Sequence, residues 1–139
     1  MLTSRTITCA IDCPACEVEQ FASNPENLPL WATSFCLSVR KSDENWEVET
    51  PSGWIAIQFV PKNEFGILDH IVTFPDGQTV QNPMRVVANA DGSEVMFTLF
   101  QRPGMSDEEF DVDAGMVEAD LQTLKRLLES RHAESRMPL

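Results

Sequence analysis

Hydrophobic and polar residues alternate over most of the first hundred positions, and this pattern predicts β-strands that each bury one face. The first predicted strand covers residues 2–12, where Ile7, Cys9 and Ile11 share one side. Six further strands are predicted at residues 35–41, 45–50, 53–61, 66–74, 79–89 and 93–101. Since short turns rich in Gly, Asn, Asp and Pro join most of them, we expect consecutive strands to run antiparallel.

Two short helices are predicted between the first two strands. Pro14 suits the first turn of a helix, and residues 16–22 follow with Val18 and Phe21 on the inner side. An Asn-Pro pair then interrupts the helix, and residues 26–32 predict a second short helical turn.

The C-terminal part of the chain predicts one long amphipathic helix. Residues 106–109 read Ser-Asp-Glu-Glu, a capping box that satisfies the first free amides of a helix. Apolar side chains then recur every three or four positions, at Phe110, Ala114, Val117, Leu121, Leu124 and Leu128. Acidic residues crowd the first turns and basic residues lie near the end, which complements the helix dipole.

These elements predict an α+β fold in which a seven-stranded antiparallel curved sheet wraps around the long helix. The apolar stripe of the helix must then be buried in the concave face of the sheet. Such a wrap leaves a cavity unless large side chains fill it. We expect residues 1–131 to form a single domain and residues 132–139 to form a flexible C-terminal tail.

Composition excludes several classes of function. Acidic residues outnumber basic ones 22 to 10, and the resulting net charge of −12 would repel a phosphate backbone, so nucleic acid is not expected as a partner. The longest nearly unbroken apolar stretch, residues 54–60, is too short to cross a bilayer, and stable membrane insertion is not expected. No apolar block typical of a signal peptide is present near the N-terminus, and we expect a cytoplasmic protein.

The four cysteines favour no cofactor. Cys13 and Cys16 form a CxxC motif where a strand gives way to a helix, a setting that suits a redox pair or half of a metal site. No second CxxC completes a zinc cluster, however, and the spacing of Cys9 and Cys36 does not require them as ligands. Ordinary reduced cysteines are the favoured interpretation, and we expect neither a metal nor a cofactor.

Two segments and the final helix carry a resemblance to a known family. Residues 13–21 contain a proline followed by Val-x-x-Phe, and residues 24–32 read Asn-Pro-Glu-Asn-Leu-Pro-Leu-Trp-Ala, close to a segment common in that family. The chain thus resembles the START/Bet v 1-like (SRPBCC) superfamily of helix-grip proteins, and its polyketide cyclase/dehydrase-like members in particular. The resemblance implies the helix-grip fold over nearly the whole chain. Its members include lipid and sterol carriers, hormone receptors, aromatase/cyclases, quinone-binding proteins and chaperone cofactors, so the fold does not decide the activity.

Asp69 and His70 are ionisable residues inside an otherwise apolar predicted strand. Because neighbouring side chains of a strand point to opposite faces, only one of the two faces the cavity. A two-residue turn at Asp76-Gly77 would pair residue 69 with residue 84, whereas a slip of one residue would place Asp69 opposite Arg85. In either register Arg85 lies close to one member of the pair.

Two interpretations of these three residues stay open. They form a polar anchor in which Arg85 holds an anion and His70 or Asp69 exchanges a proton, or they form a structural ion pair that fixes the register. The distribution of apolar side chains places Asp69 on the more apolar face and His70 on the other face, with Arg85 and Trp54. Because the more apolar face would then carry a charged residue, the sequence leaves open which of Asp69 and His70 faces the cavity.

Aromatic and methionine side chains are the further candidates for a ligand pocket, because they suit an adaptable apolar cavity. The candidate binding residues are Trp31, Phe35, Trp54, Ile57, Asp69, His70, Met84, Arg85, Phe97 and Met116, and Met105 is a further candidate lining residue.

Three functions fit this sequence. The first is binding of a small hydrophobic ligand such as a lipid, polyketide or isoprenoid between the sheet and the long helix. The second is a cyclase or dehydratase that uses Asp69 or His70 as base and Arg85 as electrostatic anchor. The third is an interaction module of the co-chaperone type. The chain is expected to be a monomer or a homodimer.

Overall fold

The computed structural model of the chain describes residues 1–136. Eight strands, two short helices, a 3-10 turn and one long helix follow one another in an α+β arrangement. In chain order these are β1 (Ser4–Ile11), α1 (Ala15–Ala22), the 3-10 turn (Pro25–Asn27), α2 (Leu28–Trp31), β2 (Ser38–Ser42), β3 (Asn45–Thr50), β4 (Gly53–Phe59), β5 (His70–Thr73), β6 (Thr79–Asn82), β7 (Met84–Asn89), β8 (Gly92–Phe100) and α3 (Asp107–Arg136).

The strands are antiparallel, as predicted, but there are eight of them in two sheets, which corrects the predicted single sheet of seven strands. One sheet has three strands in the order β1-β8-β7, and the other has five in the order β2-β3-β4-β5-β6. The predicted strand at residues 79–89 is divided at Pro83 into β6 and β7. Proline has no amide hydrogen to give to a neighbouring strand, and it therefore ends the ladder at this position.

The two sheets meet at a seam beside this proline. The Leu68 amide donates to the Met84 carbonyl at 2.8 Å, and the Val86 amide donates to the Gly66 carbonyl at 2.9 Å. Gly66 has a φ of +72°, and a Cβ built on it would lie 2.1 Å from the carbonyl oxygen of Val86. Glycine is therefore required where the backbones approach each other this closely.

Strands β5 and β6 pair in a register that differs from both registers considered from the sequence. His70 lies opposite Asn82 and Thr73 opposite Thr79, which would place residue 69 opposite residue 83. The reason is the loop, because the Phe74 amide donates to the Gln78 carbonyl at 2.9 Å and closes a three-residue loop, 75–77. Gly77 takes a φ of +89° there, as the last position of such a loop commonly does.

Helix α3 begins as its capping box predicts. The Glu109 amide donates to the Ser106 hydroxyl at 3.1 Å, and the Ser106 amide donates to a Glu109 carboxylate oxygen at 3.3 Å. The predicted apolar stripe is buried apart from Val117, which is half-buried. The helix packs against β1 and α2 and runs to Arg136, so residues 132–136 of the predicted tail are helical. Residues 137–139 of that tail lie outside the described residues.

Within residues 1–136, none of the helices combines the length and the hydropathy that a membrane span needs.

Candidate functional site

A cavity of about 490 Å³ lies between the inner face of the five-stranded sheet, β8, α2 and the first half of α3. Alternation along β4 turns Ile55 and Ile57 towards it, and α3 contributes Met116, Val117 and Leu121. Most of the lining side chains are apolar. A well-packed core leaves few voids larger than a water molecule, and a space of this size is therefore a distinct feature of the fold.

Seven of the candidate binding residues line this cavity, and they come from four strands, two helices and the turn after α2. They are Trp31, Phe35, Ile57, His70, Met84, Phe97 and Met116. Residues distant in sequence are therefore brought together as the helix-grip arrangement predicts.

Trp54, Asp69, Arg85 and Met105 do not line it, and for these residues the expected placement is corrected. Trp54 alternates with the inward-facing Ile55 on β4, and its ring stacks against the guanidinium of Arg40 at 3.9 Å. This stacking covers the outer side of the sheet.

Asp69 and Arg85 form an ion pair outside the cavity. Arg85 Nη2 lies 2.8 Å from Asp69 Oδ2, and Arg85 Nε donates to Asp69 Oδ1 at 3.0 Å. The hydrogen bond from Arg85 is the main reason that the pKa of Asp69 is lowered from its ordinary value of 3.8. The Arg85 side chain is almost half exposed. This geometry agrees with the structural interpretation of the pair and removes both residues from direct contact with a ligand in the cavity.

His70 takes the inward position that the apolar count assigned to Asp69. It is 7% exposed, whereas its neighbour Ile71 is 44% exposed on the outer face. The His70 ring lies between Phe59 and Phe97, with centroid distances of 4.9 and 5.6 Å. Counting the apolar residues on each face gave the wrong orientation because Ile71, although apolar, lies on the outer face.

The protonation of His70 follows from its contacts. Its Nδ1 lies 3.0 Å from the Leu68 carbonyl oxygen, which only accepts hydrogen bonds, so Nδ1 carries the hydrogen. Burial lowers the pKa of His70 from 6.5, which favours the neutral ring. The other nitrogen, Nε2, is then a hydrogen-bond acceptor on a residue of the cavity lining.

Two carboxylates of α3 also line the cavity, and the sequence reasoning missed both. Asp120 is 3% exposed and its Oδ1 accepts a hydrogen bond of 2.9 Å from the Ser34 amide. Burial raises the pKa of Asp120 and also the pKa of the half-buried Asp113. Their spacing of seven residues was the available signal, because it places both beside the apolar stripe.

Two of the lining residues that carry donors are Arg102 and Trp31. Arg102 stacks on Phe74 with its Cζ 5.0 Å from the ring centroid, and its charge partly offsets the rise in the pKa of Asp113. Trp31 Nε1 is buried, and within the described part of the chain it has no hydrogen-bond partner. Because a buried donor is normally satisfied, this unpartnered indole N–H is an unusual feature of a residue that lines the cavity.

Comparisons with known proteins give matches in structure only. No protein-family model matches the sequence, and no curated protein matches it either. The protein XoxI from Bacillus cereus superposes with a TM-score of 0.74 at 16% identity, covering 91% of this chain and 96% of that one. A START superfamily protein from Mycobacterium smegmatis gives a TM-score of 0.66 at 11% identity, covering 91% and 97% of the two chains.

The chain has the helix-grip fold of the START/Bet v 1-like superfamily. The di-domain ARO/CYC protein BexL of the BE-7585A biosynthetic pathway shares this fold, with a TM-score of 0.71 at 13% identity. The match covers 90% of this chain and 46% of BexL. At these identities the likeness establishes the fold and leaves the activity to be argued from the site.

Proposed function

We propose that this protein binds a small hydrophobic ligand in the cavity between the sheet and α3. The observation that carries the proposal is a space of about 490 Å³ with a mainly apolar lining. This volume lies within the range of about 300–1,000 Å³ typical of small-molecule sites. The same open space weighs against the alternative of a surface-only interaction module, which does not need one.

The polar groups of the lining suggest which ligand fits. His70 offers an acceptor, and Asp113 and Asp120 add carboxylate oxygens. Trp31 Nε1 offers a buried donor. A largely apolar molecule with one or two hydroxyl groups can satisfy both kinds of partner, because a hydroxyl donates and accepts. A lipid alcohol, an isoprenoid alcohol or a hydroxylated polyketide has this chemistry, whereas a carboxylate ligand would face two carboxylates with one guanidinium, that of Arg102, to offset them.

We also assign the protein to the cytoplasm. Cys9, Cys13, Cys16 and Cys36 are all free thiols, which is the usual state in a reducing compartment. A monomer or a homodimer remains the expected assembly.

The first experiment is native mass spectrometry of the purified protein, followed by organic extraction and identification of what it carries. A bound hydroxylated apolar molecule supports the proposal and supplies the ligand for titration. If none is carried, a fluorescent fatty alcohol and the fatty acid of the same chain length serve as paired probes. The proposal fails if neither probe binds, and its polar part fails if the acid binds as tightly as the alcohol.

A matched pair of variants locates the binding. Met116→Trp adds bulk inside the cavity and is expected to reduce alcohol affinity by more than about 10-fold, since little room is left for the ligand. Val112→Trp adds the same bulk to the same helix at a position that is 61% exposed, and should leave affinity unchanged. Equal effects of the two variants would contradict a cavity site.

A second candidate function is catalysis of the cyclase or dehydratase kind, and the contacts of His70 favour it. A neutral imidazole that is oriented through Nδ1 by a backbone carbonyl has the arrangement of a general base acting through Nε2. The shared fold with an ARO/CYC protein is in keeping with this candidate. Asp69 and Arg85 lie outside the cavity, so His70 would act without them, and turnover of an extracted ligand that is lost in His70→Phe would support it.

A further inference from the structure

A cluster of side chains that can ligate a metal ion lies away from the cavity, where the end of α3 meets the beginning of α1. Cys13 precedes α1, Glu17 lies in its first turn, and His132 lies near the end of α3. One ligand atom from each residue, namely Cys13 Sγ, a Glu17 carboxylate oxygen and a His132 ring nitrogen, lies within 4.8 Å of the other two. We call these three residues the Cys13 cluster.

The contacts within the cluster leave His132 poorly satisfied. Both ring nitrogens of His132 are buried, and neither has a hydrogen-bond partner among residues 1–136. Its Nδ1 faces Glu17 Oε2 at 3.5 Å, and only 11% of the side chain is exposed. A neutral imidazole carries one N–H and one lone pair, and burying both without partners costs free energy. A structural ion pair alone does not account for this arrangement.

Two of the three distances in the cluster match the edges of a metal-ligand tetrahedron. Zinc bonds of about 2.0–2.3 Å to O, N and S at tetrahedral angles place neighbouring ligand atoms about 3.4–3.6 Å apart. Glu17 Oε2 lies 3.3 Å from Cys13 Sγ and 3.5 Å from His132 Nδ1. The three residue types are those that zinc prefers, and the half-exposed Glu17 leaves a path from solvent.

We propose that the Cys13 cluster is a zinc site, in which Cys13 Sγ, the Glu17 carboxylate and His132 Nδ1 bind one Zn²⁺ ion with water as the fourth ligand. On binding, the thiol proton of Cys13 leaves to solvent and the thiolate forms the bond to zinc, without a change of oxidation state. The site cross-links the start of α1 to the end of α3. Its role is to stabilise the fold, and it is independent of the cavity.

The environment of Cys13 also argues against the redox interpretation of the CxxC motif. Burial and the hydrogen bond to Glu17 raise the pKa of the Cys13 thiol to about 12. A reactive thiol needs the opposite shift, because the thiolate is the nucleophile. This upward shift weighs against Cys13 as a redox nucleophile.

Cobalt(II) is the first probe, because it occupies zinc sites and reports its ligands by absorption. We expect one Co²⁺ per chain, with tetrahedral ligand-field bands and a thiolate-to-cobalt charge-transfer band, and we expect Zn²⁺ to displace it. His132→Gln should weaken binding at least about 10-fold, and Cys13→Ser should abolish the charge-transfer band. Cys16→Ser is the matched control, because Cys16 is an exposed thiol of the same motif outside the cluster.

Stability supplies the second readout. At a free Zn²⁺ concentration 100 times the dissociation constant, the unfolding equilibrium constant of the unaltered chain should fall about 100-fold. The same concentration of Zn²⁺ should leave the unfolding equilibrium constant of His132→Gln nearly unchanged. If Cys13→Ser does not fold, His132→Gln decides, since it keeps both cysteines. Binding that depends on Cys16 and not on His132, or that lacks the charge-transfer band, overturns the proposal.

Discussion

Arg85 donates a hydrogen bond to each carboxylate oxygen of Asp69 on the outer side of the molecule, at the seam between the two sheets. The same carboxylate accepts a hydrogen bond of 2.9 Å from the Met84 amide, next to the proline that divides β6 from β7. Asp69 thus satisfies a backbone donor where the strand ladder is interrupted, and it anchors Arg85 on β7. The pair holds the seam together, and it does so outside the cavity.

Substitutions at Asp69 are therefore expected to affect stability and leave ligand binding intact. Asp69→Asn keeps an oxygen for the Met84 amide but loses the charge opposite Arg85, and should lower the free energy of unfolding by about 1 kcal/mol. Asp69→Ala also leaves that amide without a partner, and should cost about 2–3 kcal/mol. Urea unfolding measures both, and alcohol-probe affinity should match that of the unaltered chain.

The stabilisation that Asp69 supplies through its ion pair with Arg85 depends on pH, and the direction of this dependence follows from the pKa of Asp69. Because the pKa of Asp69 is below 3.8 in the folded chain, its stabilising effect is present above pH 3.8 and is lost as the pH falls through the folded pKa. The stability gap between the unaltered chain and Asp69→Asn should be constant from pH 7 to pH 5 and shrink below 3.8. A gap that instead grows on acidification would refute the ion pair as its origin.

The second prediction concerns the stability of the seam when Gly66 is replaced. Gly66→Ala forces a side chain into the left-handed region and against the Val86 carbonyl, so we expect a loss of more than about 3 kcal/mol in unfolding free energy. Gly77→Ala is the matched control, since its φ is also positive but nothing lies within 4 Å of the added Cβ. It should cost only about 1 kcal/mol. Equal losses, measured by urea unfolding, would mean that the close approach to Val86 is unimportant.

Periodicity and turn chemistry were sufficient to predict most of the architecture. The stripe from Phe110 to Leu128 and the Ser106–Glu109 capping box predicted α3, since both depend on residues that are close in sequence. The break at Pro83 was also visible as a residue, but its effect on the sheet was not anticipated. Whether a proline ends a strand depends on whether its missing amide was needed by a neighbour, which is a question of tertiary structure.

The candidate site was less predictable because its parts depend on orientation. Alternation showed that Asp69 and His70 point to opposite faces, but the outer face carries an exposed Ile71 and gave a misleading apolar count. The loop at residues 75–77 sets a register that differs both from the one expected for an Asp76-Gly77 turn and from the one-residue slip. The cavity itself results from side chains on eight elements, and its empty volume leaves no pattern in any one of them.

Asp120 carries a third prediction, which concerns a buried carboxylate. Burial raises its pKa above 3.8, so the charged form is disfavoured in the folded chain and stability falls as the pH rises through the folded pKa. Asp120→Asn keeps an oxygen for the Ser34 amide and removes this loss. The variant should gain stability relative to the unaltered chain between pH 4 and pH 8, by about 1.4 kcal/mol for each unit of the raised pKa. A difference that is flat with pH, measured by urea unfolding, would contradict a raised pKa.

His70 carries the last prediction, which separates its structural contact from its contact with a ligand. Asn at this position can still donate to the Leu68 carbonyl, but it has no atom in the place of Nε2. His70→Asn should therefore lower the affinity for the fatty alcohol probe about 3- to 10-fold, the usual range for one hydrogen bond. The alkane of the same length should bind equally to both chains, which controls for altered packing.

The pH response of the same variant gives an independent check on the neutral ring. Because the pKa of His70 is lowered by burial, its contribution to stability is full above pH 6.5 and declines as the pH falls from there through the folded pKa. His70→Asn has no such decline, so the stability advantage of the unaltered chain should narrow between pH 7.5 and pH 5. An advantage that widens over this interval would mean that the buried ring is charged, and a ring charged on both nitrogens could not accept a ligand hydroxyl.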